Sequence, residues 1–169
     1  MRMKPWQPYI HRFVSSPAIT RILSRVVTLI DRPMLEITQG YFSPSGFIAG
    51  WPVIHLTTIG AKTGLKRSIA VLGIPEGDEI ILIASNFAKN KNPSWYYNLK
   101  KNPTAWIRSN GKTRMYLARE ADPDNYDHYW NAALNAHIGY DSYRQRSTRK
   151  IPILILSPAD EPAALDKTG

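Results

Sequence analysis

Two periodicities of apolar residues divide the chain. Behind Ser16-Pro17, an N-cap followed by proline at the first helical position, Ile19, Ile22, Leu23, Val26, Val27 and Ile30 recur at helical intervals. Arg21, Arg25 and Arg32 supply polar surface, so the spacing predicts an amphipathic helix over 16–30 that stops before Pro33. After a Gly/Ser/Pro-rich stretch from Gly40 to Gly50, the pattern changes to short runs with strand character at 51–58, 66–74 and 79–85. Gly60–Gly64 and Glu76-Gly77-Asp78 supply turns between them, and 86–93 reads as polar loop.

Asn92-Pro93 restarts a short helix, 93–102, which Pro103 ends. The runs 104–109 and 112–121 flank Asn110-Gly111, a hairpin signal. Asp122-Pro123 reads as the cap of a helix reaching about Ala136, with Tyr126, Trp130, Ala133 and Leu134 on one face. A second helical piece, 140–148, precedes a last strand at 151–157. The pattern thus predicts an α+β fold around an antiparallel sheet or small barrel. Its parts are a basic arm with an amphipathic helix (1–45), a barrel domain (46–158) and a mobile tail (159–169). A doubly wound dinucleotide fold would need a strand–helix alternation that is missing.

The length of 169 residues, 43% of them hydrophobic, fits one domain and excludes a disordered chain. No apolar run approaches the roughly 20 residues that cross a bilayer. Zero cysteines exclude disulfides, thiolate metal sites and a Cys nucleophile. With no secretory h-region at the start, the expected compartment is the cytoplasm. The net charge of +9 favours polyanionic partners. Residues 1–32 hold Arg2, Lys4, Arg12, Arg21, Arg25 and Arg32 against Asp31 alone, a local +5. Such a helix, with Trp6 and Tyr9 as interfacial aromatics, predicts peripheral contact with the anionic inner face of a membrane. Packing of the same apolar face on the barrel or on a second subunit is the competing reading. Nucleic acid is not expected, because the cations gather on one helix and the aromatics elsewhere.

The densest chemical signal is TTIGAKTGLKR (57–67): two hydroxyls at a strand end, two glycines, and Lys62, Lys66 and Arg67. Glycines let backbone N–H groups approach a phosphate, hydroxyls donate, and the cations supply charge. An ordinary hairpin turn with solvated cations is the plainer reading. ASNFAKNKNPSWYYNL (84–99) places a polar loop before a helix start with Trp95, Tyr96 and Tyr97 in its first turn. Such a start favours anions and aromatic stacking, while Trp95 and Leu99 equally suit a core face. A third segment gathers Tyr126, Tyr129, Trp130, His137, Tyr140 and Tyr143, which reads as core or interface by default and as a lid over a planar ligand otherwise.

His11, His55, His128 and His137 form no metal motif, and His55 reads as a structural histidine. No G-x-G-x-x-G, Walker A or G-x-S-x-G motif is present. Chemistry performed by this chain must therefore come from a bound cofactor.

GWPVIHLTTIGAKTGLKRSIAVL, ASNFAKNKNPSWYYNLKKNP and YDSYRQRSTRKIPILILSP, in that order, resemble the deazaflavin-dependent nitroreductase and quinone reductase family, which uses coenzyme F420. The resemblance covers roughly residues 46–158. It implies a split β-barrel of the pyridoxamine-phosphate-oxidase-like, FMN-binding type, and hydride transfer to a quinone, nitroaromatic or other activated acceptor. By position, Thr57, Thr58, Lys62, Thr63, Gly64 and Arg67 look like the site for the coenzyme's phosphate and acidic tail. Ala70, Leu72, Ser85, Asn86 and Trp95 would border its ring, and Tyr140 and Tyr143, with Ser85, would serve the acceptor. Ala70 stands where the family usually has proline, Asn86 where some members have lysine, and His137 where a third pocket tyrosine can occur. FMN is the alternative ligand. A non-catalytic flavin or lipophilic-ligand carrier of the same fold is the alternative function, and monomer and homodimer both stay open.

Overall fold

The computed structural model describes residues 52–159 except 110 and 138, together with 29–30, 32–38 and 44. The expected helix over 16–30 (save its last two residues), Trp6 and Tyr9, position 110 of the hairpin and the tail from 160 lie outside the described residues.

A short helix α1 (Arg32–Ile37) precedes strands β1 (Val53–Ile59), β2 (Lys66–Leu72), β3 (Ile74–Glu76) and β4 (Glu79–Ile83). Helix α2 (Ser94–Lys101) and the hairpin β5 (Thr104–Ser109) and β6 (Lys112–Glu120) follow. Helices α3 (Tyr126–Ala136) and α4 (Gly139–Arg146) then lead into β7 (Ile153–Pro158). All pairings are antiparallel, in the order β2-β1-β5-β6-β7-β4-β3.

The run 66–74, expected as one strand, is divided, and the division closes the barrel. Residues 66–72 pair with β1 while 74–76 pair with β4, and these partners lie toward opposite ends of the strand order. One bent segment therefore joins both edges of the curled sheet. Gly73 is the bend: its N–H donates to Pro52 O at 2.8 Å, and a Cβ there would lie 2.5 Å from Ile54 Cδ1. The helix expected from Asp122 begins instead as a 3-10 turn, Pro123–Asn125, and the Asp122 side chain makes no capping bond.

Alternation along the strands makes two cores. Ile54, Leu56, Leu82, Ile107 and Leu156 fill the barrel interior, which Trp95 and Leu99 of α2 plug. Ile81, Ile83, Ile153 and Ile155 face outward and are covered by Trp130, Ala133, Tyr140 and Tyr143 of α3 and α4. Strand β7 serves both cores, which is why it reads as an unbroken apolar run; residues 153–156 are each at most 1% exposed. Burial of each such side chain contributes about 1.5–3 kcal/mol.

Candidate functional site

The register fixes which residues share an end of the barrel. Strands β1 and β4 run toward one end, where β2, β5 and β7 begin. That end collects the 60–65 turn, the 84–93 loop, helix α2 and the approach to β7.

The 60–65 turn is tightly built. Gly60 N–H donates to Leu65 O at 2.9 Å and Gly64 N–H to Gly60 O at 2.8 Å. Gly64 has φ +70°, a conformation glycine adopts freely, and a Cβ on Gly60 would lie 2.9 Å from Thr63 Oγ1. Asn98 of α2 anchors the turn from beneath. Its Nδ2 donates to Thr58 Oγ1 at 3.0 Å, and its Oδ1 accepts the Ala61 N–H at 2.9 Å. Lys101 Nζ adds a bond to Ala61 O at 2.7 Å. The N–H groups of Lys62 and Thr63 have no acceptor among the described residues.

Thr58 thus lies under the turn, 1% exposed, with its hydroxyl occupied by Asn98. Thr57 is half-buried on the outer face and shares a hydrogen bond with Ser68 at 2.9 Å. Lys62, Thr63, Gly64, Lys66 and Arg67 are exposed, and Lys66 Nζ sits 4.4 Å from the centre of the Trp106 ring. Lys62, Arg67, Lys89 and Lys91 make no ion pair with a carboxylate among the described residues, whereas Lys100 is paired with Glu120 at 2.7 Å. That pairing raises the Lys100 pKa, chiefly through the hydrogen bond to Glu120.

Ala70 and Leu72 continue outward along β2. Ala70 is buried opposite His55, and Leu72 packs on the outer core that holds Tyr140 and Tyr143. His55, on the outer face of β1, is buried, with Nε2 3.7 Å from a carboxylate oxygen of Glu36. A strip of small and hydroxyl side chains, Thr57, Ser68 and Ala70, therefore leads from the basic turn toward the tyrosine cluster.

The 84–93 loop departs from its expected plain form. Asn86, Phe87 and Ala88 have φ of 46°, 57° and 61°, three successive non-glycine residues in the left-handed region. Each costs about 1–2 kcal/mol there, and only asparagine among them tolerates it readily. Phe87 meets the Tyr143 ring edge-on at 6.3 Å. Ser85 is buried beside the turn, and the Asn86 side chain donates to Lys91 O at 2.8 Å. Trp95 is buried as interior core.

Tyr140 sits further back, against His137 at 5.2 Å and Trp130 at 6.2 Å. Burial pushes its phenol far above the ordinary value, with the neighbouring Tyr143 adding to the shift. The His137 ring closes this corner, leaving no room for a Cβ on Gly139.

Sequence reasoning missed Asn98 and Arg149. The signal for Asn98 was its place three residues after Trp95 and one before Leu99, on the helix face that is buried. Arg149 carried no local signal: its guanidinium reaches carbonyls of the 84–91 segment, some sixty residues away.

The described residues form a curled antiparallel sheet, with Lys62, Lys66 and Arg67 gathered at the 60–65 turn and no metal-binding cluster among them. Residues 36–158 match the family model of F420H(2)-dependent quinone reductase, and the chain belongs to that family. It is 30% identical over 109 residues to an F420H(2)-dependent quinone reductase of Mycobacterium tuberculosis, covering 63% of this chain and 73% of that one. Among solved structures, an F420-H2 dependent reductase is 34% identical, with TM-score 0.58, covering 63% of this chain and 94% of that one. A domain-swapped dimer is similar at 34% identity and TM-score 0.59, covering 63% of this chain and 80% of its own. The chain is thus an oxidoreductase of the F420-dependent quinone reductase family, with coenzyme F420 as its cofactor.

Proposed function

We propose that the basic end of the barrel is the coenzyme site and that the outer strip carries its reactive ring toward the tyrosine cluster. The observation that carries this reading is the 60–65 turn. It offers two backbone N–H groups beside Lys62 and Arg67, on a base fixed by Asn98. Lys62, Thr63, Gly64 and Arg67 would hold the phosphate and acidic tail, with Thr57 donating from the strand end and Thr58 supporting from below. Ala70, Leu72, Ser85 and Asn86 would border the ring; Trp95, expected beside it, packs in the barrel interior on the other face of the sheet. FMN, which also carries a phosphate, is the secondary ligand for the same turn.

Bound there, the reduced deazaflavin supplies a hydride. The chain's own task is orientation, because reacting atoms must be held about 3–3.5 Å apart. Tyr143, and Tyr140 behind it, would donate hydrogen bonds toward the acceptor oxygen as negative charge develops on it. A quinone gains that hydride and a proton to become the hydroquinone, and a nitroaromatic or another activated acceptor fits the same chemistry. Steady-state reduction of a soluble quinone analogue by reduced F420 tests the reading. Turnover that falls in Tyr143→Phe with coenzyme affinity retained supports it. Full activity in both Tyr140→Phe and Tyr143→Phe, with several acceptors, overturns their role.

The similar domain-swapped dimer supports a homodimer, to be read from mass in solution. The +5 carried by residues 1–32 supports a cytoplasmic protein that touches anionic membrane, where lipophilic quinones reside. Among the described residues no helix is long and apolar enough to cross one. Salt-sensitive pelleting with anionic vesicles, lost when the chain starts at Gly46, is the expected result. Equal and negligible pelleting of both folded proteins removes the membrane role.

A further inference from the structure

Arg149 lies just before β7, and its guanidinium is spent on main-chain carbonyls. Nε donates to Lys89 O at 3.1 Å, and Nη2 reaches Ala84 O at 2.9 Å, Ser85 O at 3.2 Å and Lys91 O at 3.4 Å. These acceptors bracket the three left-handed residues Asn86–Ala88 on both sides. Arg149 is itself fixed. The Ser147 hydroxyl donates to Arg149 O at 2.8 Å and accepts the Arg149 N–H at 3.3 Å. Thr148 Oγ1 adds a bond to Asn90 Oδ1 at 3.3 Å.

Surface arginines ordinarily meet carboxylates or water, yet Arg149 makes no ion pair with a carboxylate among the described residues. Burial lowers its pKa, and the phenols of Tyr97, Tyr126 and Tyr96 oppose that shift. A planar fork of donors suits converging carbonyls in a way that an ammonium on a flexible stem does not. Left-handed φ at Phe87 and Ala88 persists only where surrounding structure over-determines it, and such strain gathers at functional sites. The only side chain that spans the turn from the β4 end to Lys91 is that of Arg149 among the hydrogen bonds of the described residues.

We propose that Arg149 is a positioning residue: it clamps the Asn86–Ala88 turn in its left-handed form and thereby fixes Ser85 and Asn86 at the ring-binding side of the coenzyme site. The inference rests on the coenzyme reading above and deepens it. Arg149 touches neither coenzyme nor acceptor; it acts through the turn.

Two variants and one rescue test it in the full-length protein. Arg149→Ala, with an unchanged far-ultraviolet spectrum, should weaken F420 binding about tenfold to a hundredfold, because the strained turn beside the ring is no longer held by its surroundings. Amides of 86–91 should exchange faster while those of β5 and β6 keep their protection. Arg149→Lys should behave like the alanine variant, which also serves if the alanine variant does not fold. Adding Ala88→Gly should recover part of the lost affinity, because glycine takes positive φ without strain. Unchanged affinity and unchanged exchange in both Arg149 variants overturn the inference, as does a glycine that recovers nothing. A wild-type protein that binds no F420 fails the underlying reading instead, and it shows as such because no variant is involved.

Discussion

Asn98 donates to Thr58 Oγ1 at 3.0 Å across a buried gap between α2 and β1, and the same amide accepts the Ala61 N–H. Both of its polar atoms are used, and both bonds pull the 60–65 turn onto the helix. Asn98→Ala strands the Ala61 N–H and the buried Thr58 hydroxyl, so it should cost about 1–3 kcal/mol of stability. In the Thr58→Val background the same substitution should cost less, with a coupling of about 0.5–3 kcal/mol read from urea unfolding in a double-mutant cycle. Strict additivity would mean that the pair does not anchor the turn.

Arg67 is exposed beside the turn and pairs in register with Thr58. Arg67→Ala should weaken coenzyme binding by about 1.5–3 kcal/mol, the worth of a charge-assisted hydrogen bond. Turnover at saturating coenzyme should change little. The loss should shrink as salt rises, since an exposed cation is screened. Titration at two ionic strengths checks both.

Tyr140 carries a pH consequence. Burial raises its pKa in the native protein above the ordinary 10.0. Past that value the unfolded chain releases the phenolic proton while the native protein keeps it. The contribution is therefore complete below pH 10.0 and declines as pH rises through it. Tyr140→Phe should leave the melting temperature's pH dependence unchanged below about pH 10 and flatten its fall above that. Parallel curves for the two proteins would contradict the assignment.

Gly73 and Ile54 meet where the barrel closes, with space for no Cβ between them. Gly73→Ala should cost about 1–3 kcal/mol by overpacking. Ile54→Val removes Cδ1, the nearest obstruction, while Cγ1 at 2.8 Å stays, and alone costs about 0.5–1.5 kcal/mol. Combined, the two should destabilise by less than their sum, as thermal or urea unfolding will show. Full additivity would place the bend's strain elsewhere.

Much of the barrel was legible because strand periodicity is local. The apolar run at 151–157 reads as a strand, and Gly60–Gly64 reads as a turn, by composition alone. The division at Gly73 was not legible: 66–74 reads as one strand, and only pairing with two distant strands splits it. The left-handed turn was hidden for the same reason. Phe87 and Ala88 carry no propensity for positive φ, and the bonds that hold them come from Arg149, far along the chain. In the site, cations and glycines were visible as composition. That Thr58 lies under the turn depends on register, which composition does not carry, and Asn98 gives little signal because a polar residue within a helix looks solvated.

The central claim is that the basic turn at the barrel end selects the deazaflavin coenzyme. Parallel fluorescence titrations of the full-length protein with F420 and with FMN test it most directly. F420 should bind the more tightly, and Lys62→Ala and Arg67→Ala should each erode that affinity. FMN binding tenfold tighter than F420, about 1.4 kcal/mol, would contradict the account.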